Sequence, residues 1–178
     1  SVLSPEVVRI RFSPIPFGRD HSDAVVDRNL GAQDFRFETS STSSVIATAA
    51  LRVEVQASPF RLTIKDADGR VIHADDPGRG MAHDGAAVRA WSELRDTDNV
   101  YGFGEKNGAF NKRGWALGGY HYVMWNSDTY GYDNSTDPIY VSVPFYLVLR
   151  EGRAHGVFLD NTHRSTFDVG RERRGLLS

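Results

Sequence analysis

The stretch LRVEVQASPFRLTIKDADGRVIHA, residues 51–74, decides the fold class. Leu51, Val53 and Val55 alternate with Arg52, Glu54 and Gln56, which gives an extended chain one apolar and one polar face. Phe60, Leu62 and Ile64 repeat the period of two, and Asp66–Gly69 supplies the Asp-Gly chemistry of a hairpin turn. Outward from there, VVRIRFS at residues 7–13 sets Val8, Ile10 and Phe12 opposite Val7, Arg9 and Arg11. Further strands are expected at Phe35–Thr39, Val88–Leu94, Tyr120–Trp125, Ile139–Leu149, His155–Asp160 and Ser165–Val169, with a second hairpin turn at Glu151–Arg153. The best helical candidate is SSVIATAALRV, residues 43–53, yet its β-branched residues and flanking alternation make it a strand. Many short strands with Gly and Asp turns predict an all-β protein, an antiparallel β-sandwich. Two segments, Asp75–Ala87 and Asn126–Pro138, are expected as long loops, and loops of that length are often functional.

The totals narrow the function classes. A chain of 178 residues is most simply one domain, large enough to bury a core. Hydrophobic residues at 40% and charged residues at 25% argue against disorder. A net charge of −2 leaves no electrostatic footprint for nucleic acid or an anionic membrane, and no apolar run approaches the roughly 20 residues of a membrane helix. The one basic cluster, RERR at residues 171–174, reads as a solvated face or a cut end. With no cysteine, disulfides, thiolate metal sites and Cys nucleophiles are excluded, and the composition fits a reducing, cytoplasmic compartment. No signal-peptide pattern opens the chain, and its start at Ser1 suggests a trimmed or interior piece.

Residues 101–132, YGFGEKNGAFNKRGWALGGYHYVMWNSDTYGY, are crowded with Gly, aromatic, Asn and Asp residues, the composition of a ligand-contacting loop. The chemistry that would normally accompany such a loop is missing. GFGEKNG has the spacing G-x-G-x-x-x-G with no P-loop Lys-Ser/Thr behind it, and no G-x-S-x-G nucleophile elbow exists. The six His residues form no H-x-x-x-H or H-E-x-x-H pair, so neither metal nor cofactor is expected. Asp133–Asp137 resembles a calcium loop only loosely and reads better as an Asx-turn. Asn134-Ser135-Thr136 also matches an N-glycosylation sequon.

Four pieces in order, VVRIRFSP, YGFGEKNGAFNKRG, MWNSDTYGYDNSTDPIYVSVPFYL and GVFLDNTHRSTFDVG, resemble the N-terminal domain of family 31 glycoside hydrolases, which include α-glucosidases and α-xylosidases. The resemblance spans most of residues 7–170; residues 100–170 carry it best and residues 15–44 match less clearly. It implies a galactose mutarotase-like β-sandwich, a supersandwich, that precedes a catalytic (β/α)8 barrel and extends a loop over its sugar pocket. The position matching the family's substrate-contacting Asp is Asp128, with Asn126, Thr129 and Tyr130 beside it. Glu105 and Lys106 of YGFGEK are expected to support the loop through an ion pair or backbone hydrogen bonds, while Gly102 and Gly104 mark close backbone approach. Trp125 is expected as a core or interface plug.

In that family two barrel carboxylates, about 5–5.5 Å apart, perform the retaining reaction. The nucleophile lies in a W-x-D-M-N-E type motif, whereas Trp91, Trp115 and Trp125 are followed here by SELRD, ALGGY and NSDTY. No catalytic residue is therefore assigned. The resemblance implies that residues 1–178 are a single N-terminal sandwich domain cut before the barrel, with its last strands absent as well. Its implied partners are an α-glycoside substrate and the barrel of the same parent chain. Two other readings stand beside this one. A stand-alone carbohydrate-binding or mutarotase-like sandwich would need a positioned His and Glu in its enzymatic form. A structural sandwich would use its loops to form a homo-oligomer.

Overall fold

The computed structural model of the chain describes residues 1–26, 33–113 and 120–178; residues 27–32 and 114–119, the latter including Trp115, lie outside it. Among the described residues every regular element is a β-strand, and the ladders within each unit are antiparallel. The chain divides into two compact units, residues 1–21 with 25–93 and residues 22–24 with 94–178.

The first unit contains β1 (Val2–Ser4), β2 (Val7–Val8), β3 (Arg36–Thr39), β4 (Ser43–Ala47), β5 (Leu51–Ala57), β6 (Phe60–Asp66), β7 (Val71–Ala74), β8 (Met81–Asp84), β9 (Ala87–Ala90) and β10 (Ser92–Glu93). Strands β3 to β7 form a five-stranded meander in chain order. The alternation of residues 51–66 is realised directly: Val53 and Leu62 are buried, while Arg52, Glu54 and Lys65 form a surface ion-pair cluster. Asp75, just past β7, accepts the Leu62 N–H at 2.9 Å, and burial raises its pKa against that hydrogen bond.

Four expectations change here. The segment 43–53 is two strands, because the Thr48 hydroxyl accepts the Ala50 and Leu51 N–H groups and turns the chain. The expected strand from Val7 shrinks to two residues. Among the described residues its one partner strand is the three-residue β1, after which Arg9 turns to Asp20 (2.7 and 2.8 Å) and Ile10 is left 42% exposed. The expected loop Asp75–Ala87 contains β8, and the positive φ of Gly85 makes Asp84-Gly85 part of the β8–β9 turn. The expected strand Val88–Leu94 is interrupted at Trp91, whose N–H reaches Gly80 O and whose carbonyl accepts from Asp76 N.

The second unit contains β11 (Asn99–Gly104), β12 (Tyr120–Met124), β13 (Ser142–Arg150), β14 (Arg153–Phe158), β15 (Ser165–Val169) and β16 (Leu176–Leu177). One sheet has the order β11–β13–β14, and the other runs β16–β15–β12. Val100, Phe103, Tyr146 and Val148 of the first meet Tyr122, Met124, Phe167, Val169 and Leu177 of the second in one buried cluster. Two antiparallel sheets sharing one apolar layer make a β-sandwich. Phe103 is its centre, with ring centroids 5.1, 5.6 and 4.9 Å from Tyr122, Tyr146 and Phe167. Burying such a ring contributes roughly 1.5–3 kcal/mol.

YGFG is thus not loop but strand, and its glycines explain themselves. The β11–β13 register runs to Gly102 opposite Tyr146, then skips to Gly104 opposite Ser142. At this bulge Phe103 takes φ 70 and its side chain goes into the core. A Cβ at Gly102 would sit 2.5 Å from Phe145 O, and one at Gly104 would sit 2.6 Å from Val141 O.

A second constraint lies at the far end of β11. Asp98 is fully buried and accepts from Arg150 Nε and Nη2 at 2.6 and 2.7 Å and from Arg95 N at 2.8 Å. Arg113, also buried, donates to the carbonyls of Arg95 and Asp98. Burial lowers the pKa of His155, and the Arg150 charge adds to that against the opposing pull of Asp98.

Two measurements follow from this geometry. Gly102→Ala is expected to destabilise the fold by about 3 kcal/mol or more in urea unfolding, since strain and backbone collision combine. Gly152→Ala, where the turn has φ 78 and open space around a Cβ, is expected to cost about 1–2 kcal/mol. Because the folded state favours neutral His155, stability should be full above the unfolded-state pKa of about 6.5 and decline as pH falls through the lower folded value. Unfolding midpoints of His155→Gln measured from pH 5 to 8 should show a flatter profile than the parent chain.

Candidate functional site

The connection from β12 to β13, residues 125–141, is held from beneath by one buried cation. Lys106 follows the β11 bulge, and its side chain is 1% exposed. Its Nζ donates to Val123 O at 2.6 Å, Asp137 Oδ1 at 2.7 Å and Ser142 Oγ at 3.3 Å. Asp137 Oδ2 in turn accepts the Val123 N–H at 2.5 Å. An ammonium removed from water needs its three protons accepted, and here the acceptors come from the end of β12, the loop and the start of β13. Ser142 closes the loop's mouth: its hydroxyl accepts from Trp125 N and donates to Trp125 O, and its N–H donates to Asn126 Oδ1 at 2.7 Å.

A second lysine extends the support. Lys112 is buried and donates to Lys106 O at 3.0 Å, while Tyr122 donates its hydroxyl to Lys112 O at 3.1 Å. Burial pushes the Lys112 pKa down, and the nearby Lys106 charge adds to this against Asp137. Asn107 Nδ2 reaches Thr136 O at 3.1 Å, tying the same stretch to the far side of the loop.

The loop is also braced internally. Ser127 N donates to Ile139 O, and the Thr129 hydroxyl donates to Ser127 Oγ and Pro138 O. Tyr140 donates its hydroxyl to Thr129 O and meets the Tyr132 ring edge-on at 5.7 Å. Asp133 forms the Asx-turn read from its sequence: Oδ1 accepts from Ser135 N, Ser135 Oγ and Thr136 Oγ1, and these bonds hold its carboxyl below the usual carboxylate range. No group of three metal-ligating side chains occurs among the described residues.

Against this framework the residues singled out from sequence separate clearly. Asp128 is exposed, and its carboxylate has no hydrogen bond or ion pair among the described residues. Tyr130 is fully exposed at the same tip. Asn126 and Thr129 are in the loop too, but their side chains make the internal bonds described above. Lys106 lies under the loop, whereas Glu105 is exposed and contributes only its N–H, donated to Val141 O at 2.8 Å. Trp125 is not a core plug: it is 53% exposed, because the Ser142 bonds hold its backbone at the loop's mouth. Sequence reasoning missed Asp137, Ser142 and Lys112 as supports. The only signal for Asp137 was an Asp inside a polar run, which is also what an ordinary turn looks like.

Comparison with known proteins gives this arrangement its place. Residues 1–168 match the sequence model of the glycosyl hydrolase 31 N-terminal galactose mutarotase-like domain. The chain belongs to that family. Alpha-glucosidase 2 of Bacillus thermoamyloliquefaciens is 34% identical over 165 residues, which cover 92% of this chain and 20% of that protein. A GH31 dextranase of Flavobacterium johnsoniae, in a variant complexed with isomaltotriose, superposes with a TM-score of 0.77 at 32% identity and covers 89% of this chain and 19% of its own. A GH31 alpha-xylosidase of Xanthomonas citri shares the fold, with a TM-score of 0.65 at 18% identity and coverage of 85% of this chain and 15% of its own. The chain spans about a fifth of the length of the glucosidase and the dextranase. As a glycosyl hydrolase 31 N-terminal domain it is the mutarotase-like β-sandwich that its sequence implied.

Replacing Lys106 with Met takes the ammonium partner from the Asp137 carboxylate, which is 17% exposed in the parent chain. The expected loss is about 3–5 kcal/mol by denaturant titration. Lys106→Met combined with Asp137→Leu should recover a large part of it. An unrecovered double variant would show that the two residues act separately.

Proposed function

We propose that this chain is the non-catalytic N-terminal domain of a retaining α-glucosidase-like hydrolase, and that its 125–141 loop lends Asp128 to the outer part of the sugar site. One observation carries this reading: among the described residues the Asp128 carboxylate is uncommitted, on a loop whose neighbouring polar side chains are bonded inward. An ionised carboxylate only accepts hydrogen bonds, and sugar hydroxyls are donors in fixed directions. A tip that is anchored from below loses little conformational entropy when it meets a ligand. The exposed Tyr130 ring adds an apolar surface for a sugar face. Similarity to an α-glucosidase and to a dextranase complexed with isomaltotriose supports a glucose-containing α-glycoside as the substrate class.

In this reading the division of labour is strict. The two carboxylates that break and re-form the glycosidic bond belong to the catalytic barrel of the parent chain. The sandwich binds and orients, and it holds no proton in flight. Binding that strengthens toward the transition state appears in kcat/KM, even from a group remote from the reacting carbon.

Asp128→Ala in the full-length parent should lower kcat/KM for an α-glucoside by about tenfold to a hundredfold, the equivalent of one charged hydrogen bond of roughly 1.5–3 kcal/mol. Its thermal midpoint should match the parent protein, since the Asp128 side chain has no hydrogen bond or ion pair among the described residues. Unchanged kinetics would remove Asp128 from the site.

A further inference from the structure

We propose that Asp137 is a positioning residue for Asp128, so that the Lys106–Asp137 ion pair acts on sugar binding as well as on stability; the inference rests on the outer-subsite reading above. Asp128 stands between two bonded neighbours. Ser127 donates its N–H to Ile139 O at 3.1 Å, and the Thr129 hydroxyl donates to Pro138 O at 3.2 Å. Thr129 N also closes back on Ser127 O at 3.0 Å, the i to i+2 bond of a γ-turn with Asp128 as its central residue. The backbone that carries the carboxylate therefore rests on the carbonyls of residues 138 and 139, the two that follow Asp137.

That seat is fixed at both ends. Ile139 is 1% exposed, so packing holds the far end. At the near end Asp137 is stitched to the edge of β12. Among the described residues β12 has a ladder on one side only, with β15. In an antiparallel ladder every second residue turns both backbone groups away from the partner strand. At Val123 those groups meet the ion pair: Asp137 Oδ2 accepts the N–H at 2.5 Å, and Lys106 donates to the carbonyl at 2.6 Å. Asp137 Oδ1 accepts from Lys106 at 2.7 Å, so the two side chains together take the place of one residue of a neighbouring strand.

The path from the ion pair to Asp128 is short. It runs from Asp137 along the chain to Pro138 O, across a hydrogen bond to the Thr129 side chain, and back along the chain to Asp128. A seat that shifts carries the Asp128 carboxylate with it, and a hydrogen bond to a sugar hydroxyl weakens steeply with misplaced distance and angle. Neither Lys106 nor Asp137 has to touch the sugar for this to hold. A carboxylate that only stabilised the fold would change turnover by the same factor whether or not Asp128 were present.

A double-mutant cycle in the full-length parent protein tests this. Asp137→Asn keeps the shape of the side chain but sets an NH2 group against one of two donors, Lys106 Nζ or Val123 N–H. Thr129→Val leaves the ion pair whole and removes the hydroxyl bonds to Pro138 O and Ser127 Oγ, so it carries the test if Asp137→Asn does not fold. On an α-linked glucose disaccharide each variant should lower kcat/KM by about threefold to tenfold while Asp128 is present, and by less than about twofold in the Asp128→Ala background. Equal losses in both backgrounds overturn the positioning role, and so does no loss in either. Asp128→Ala by itself reports separately: parent-like kcat/KM in that single variant strikes the outer-subsite reading, whereas a loss there with equal Asp137→Asn losses in both backgrounds strikes the positioning role alone.

Discussion

A buried ammonium dictates how this domain presents its loop. Lys106 sits almost out of reach of water, and desolvating such a group costs several kcal/mol unless its protons are accepted. The acceptors are a carbonyl at the end of β12, a carboxylate within the loop and a hydroxyl at the start of β13. Satisfying one charge therefore fixes three separate stretches of chain. The β11 bulge makes this geometry attainable: Gly102 and Gly104 allow backbone to touch backbone, Phe103 turns into the core, and two residues later the chain delivers Lys106 beneath the loop. Core packing and loop anchoring are consequences of the same irregularity in one strand.

Above that anchor the polar groups of the loop divide in two. Those near its base and waist, including Asn126, Ser127, Thr129 and Ser142, are bonded to one another or to backbone. Those at the tip, Asp128 and Tyr130, face outward. Such a division is what a binding element would need, and the proposed role of Asp128 rests on it.

How much of this could be read from sequence depended on whether the decisive partner was local. Alternation in residues 51–66 and 165–169 located β5, β6 and β15 closely, since a half-buried strand writes its own pattern. The same alternation misled at Val7–Phe12, where among the described residues no long partner strand extends the ladder. YGFG looked like loop because a bulge breaks the period of two and glycine carries no hydrophobic signal. The Met81–Ala90 hairpin hid in a run of Ala, His and Arg that lacks β-branched weight. At the site, the family resemblance singled out Asp128, whose role is the proposal above, and Lys106 was legible as a support for the loop. Asp137 was not, because its pairing with Lys106 spans 31 residues and nothing in either neighbourhood announces the other.

The most direct test of the central claim is a crystal structure of the full-length parent with an α-linked oligosaccharide bound across its catalytic centre. The account predicts an Asp128 carboxylate oxygen within about 3 Å of a sugar hydroxyl, the distance of a charge-assisted hydrogen bond. A well-ordered sugar with Asp128 left in bulk solvent, beyond about 6 Å and with no bridging water, would contradict it.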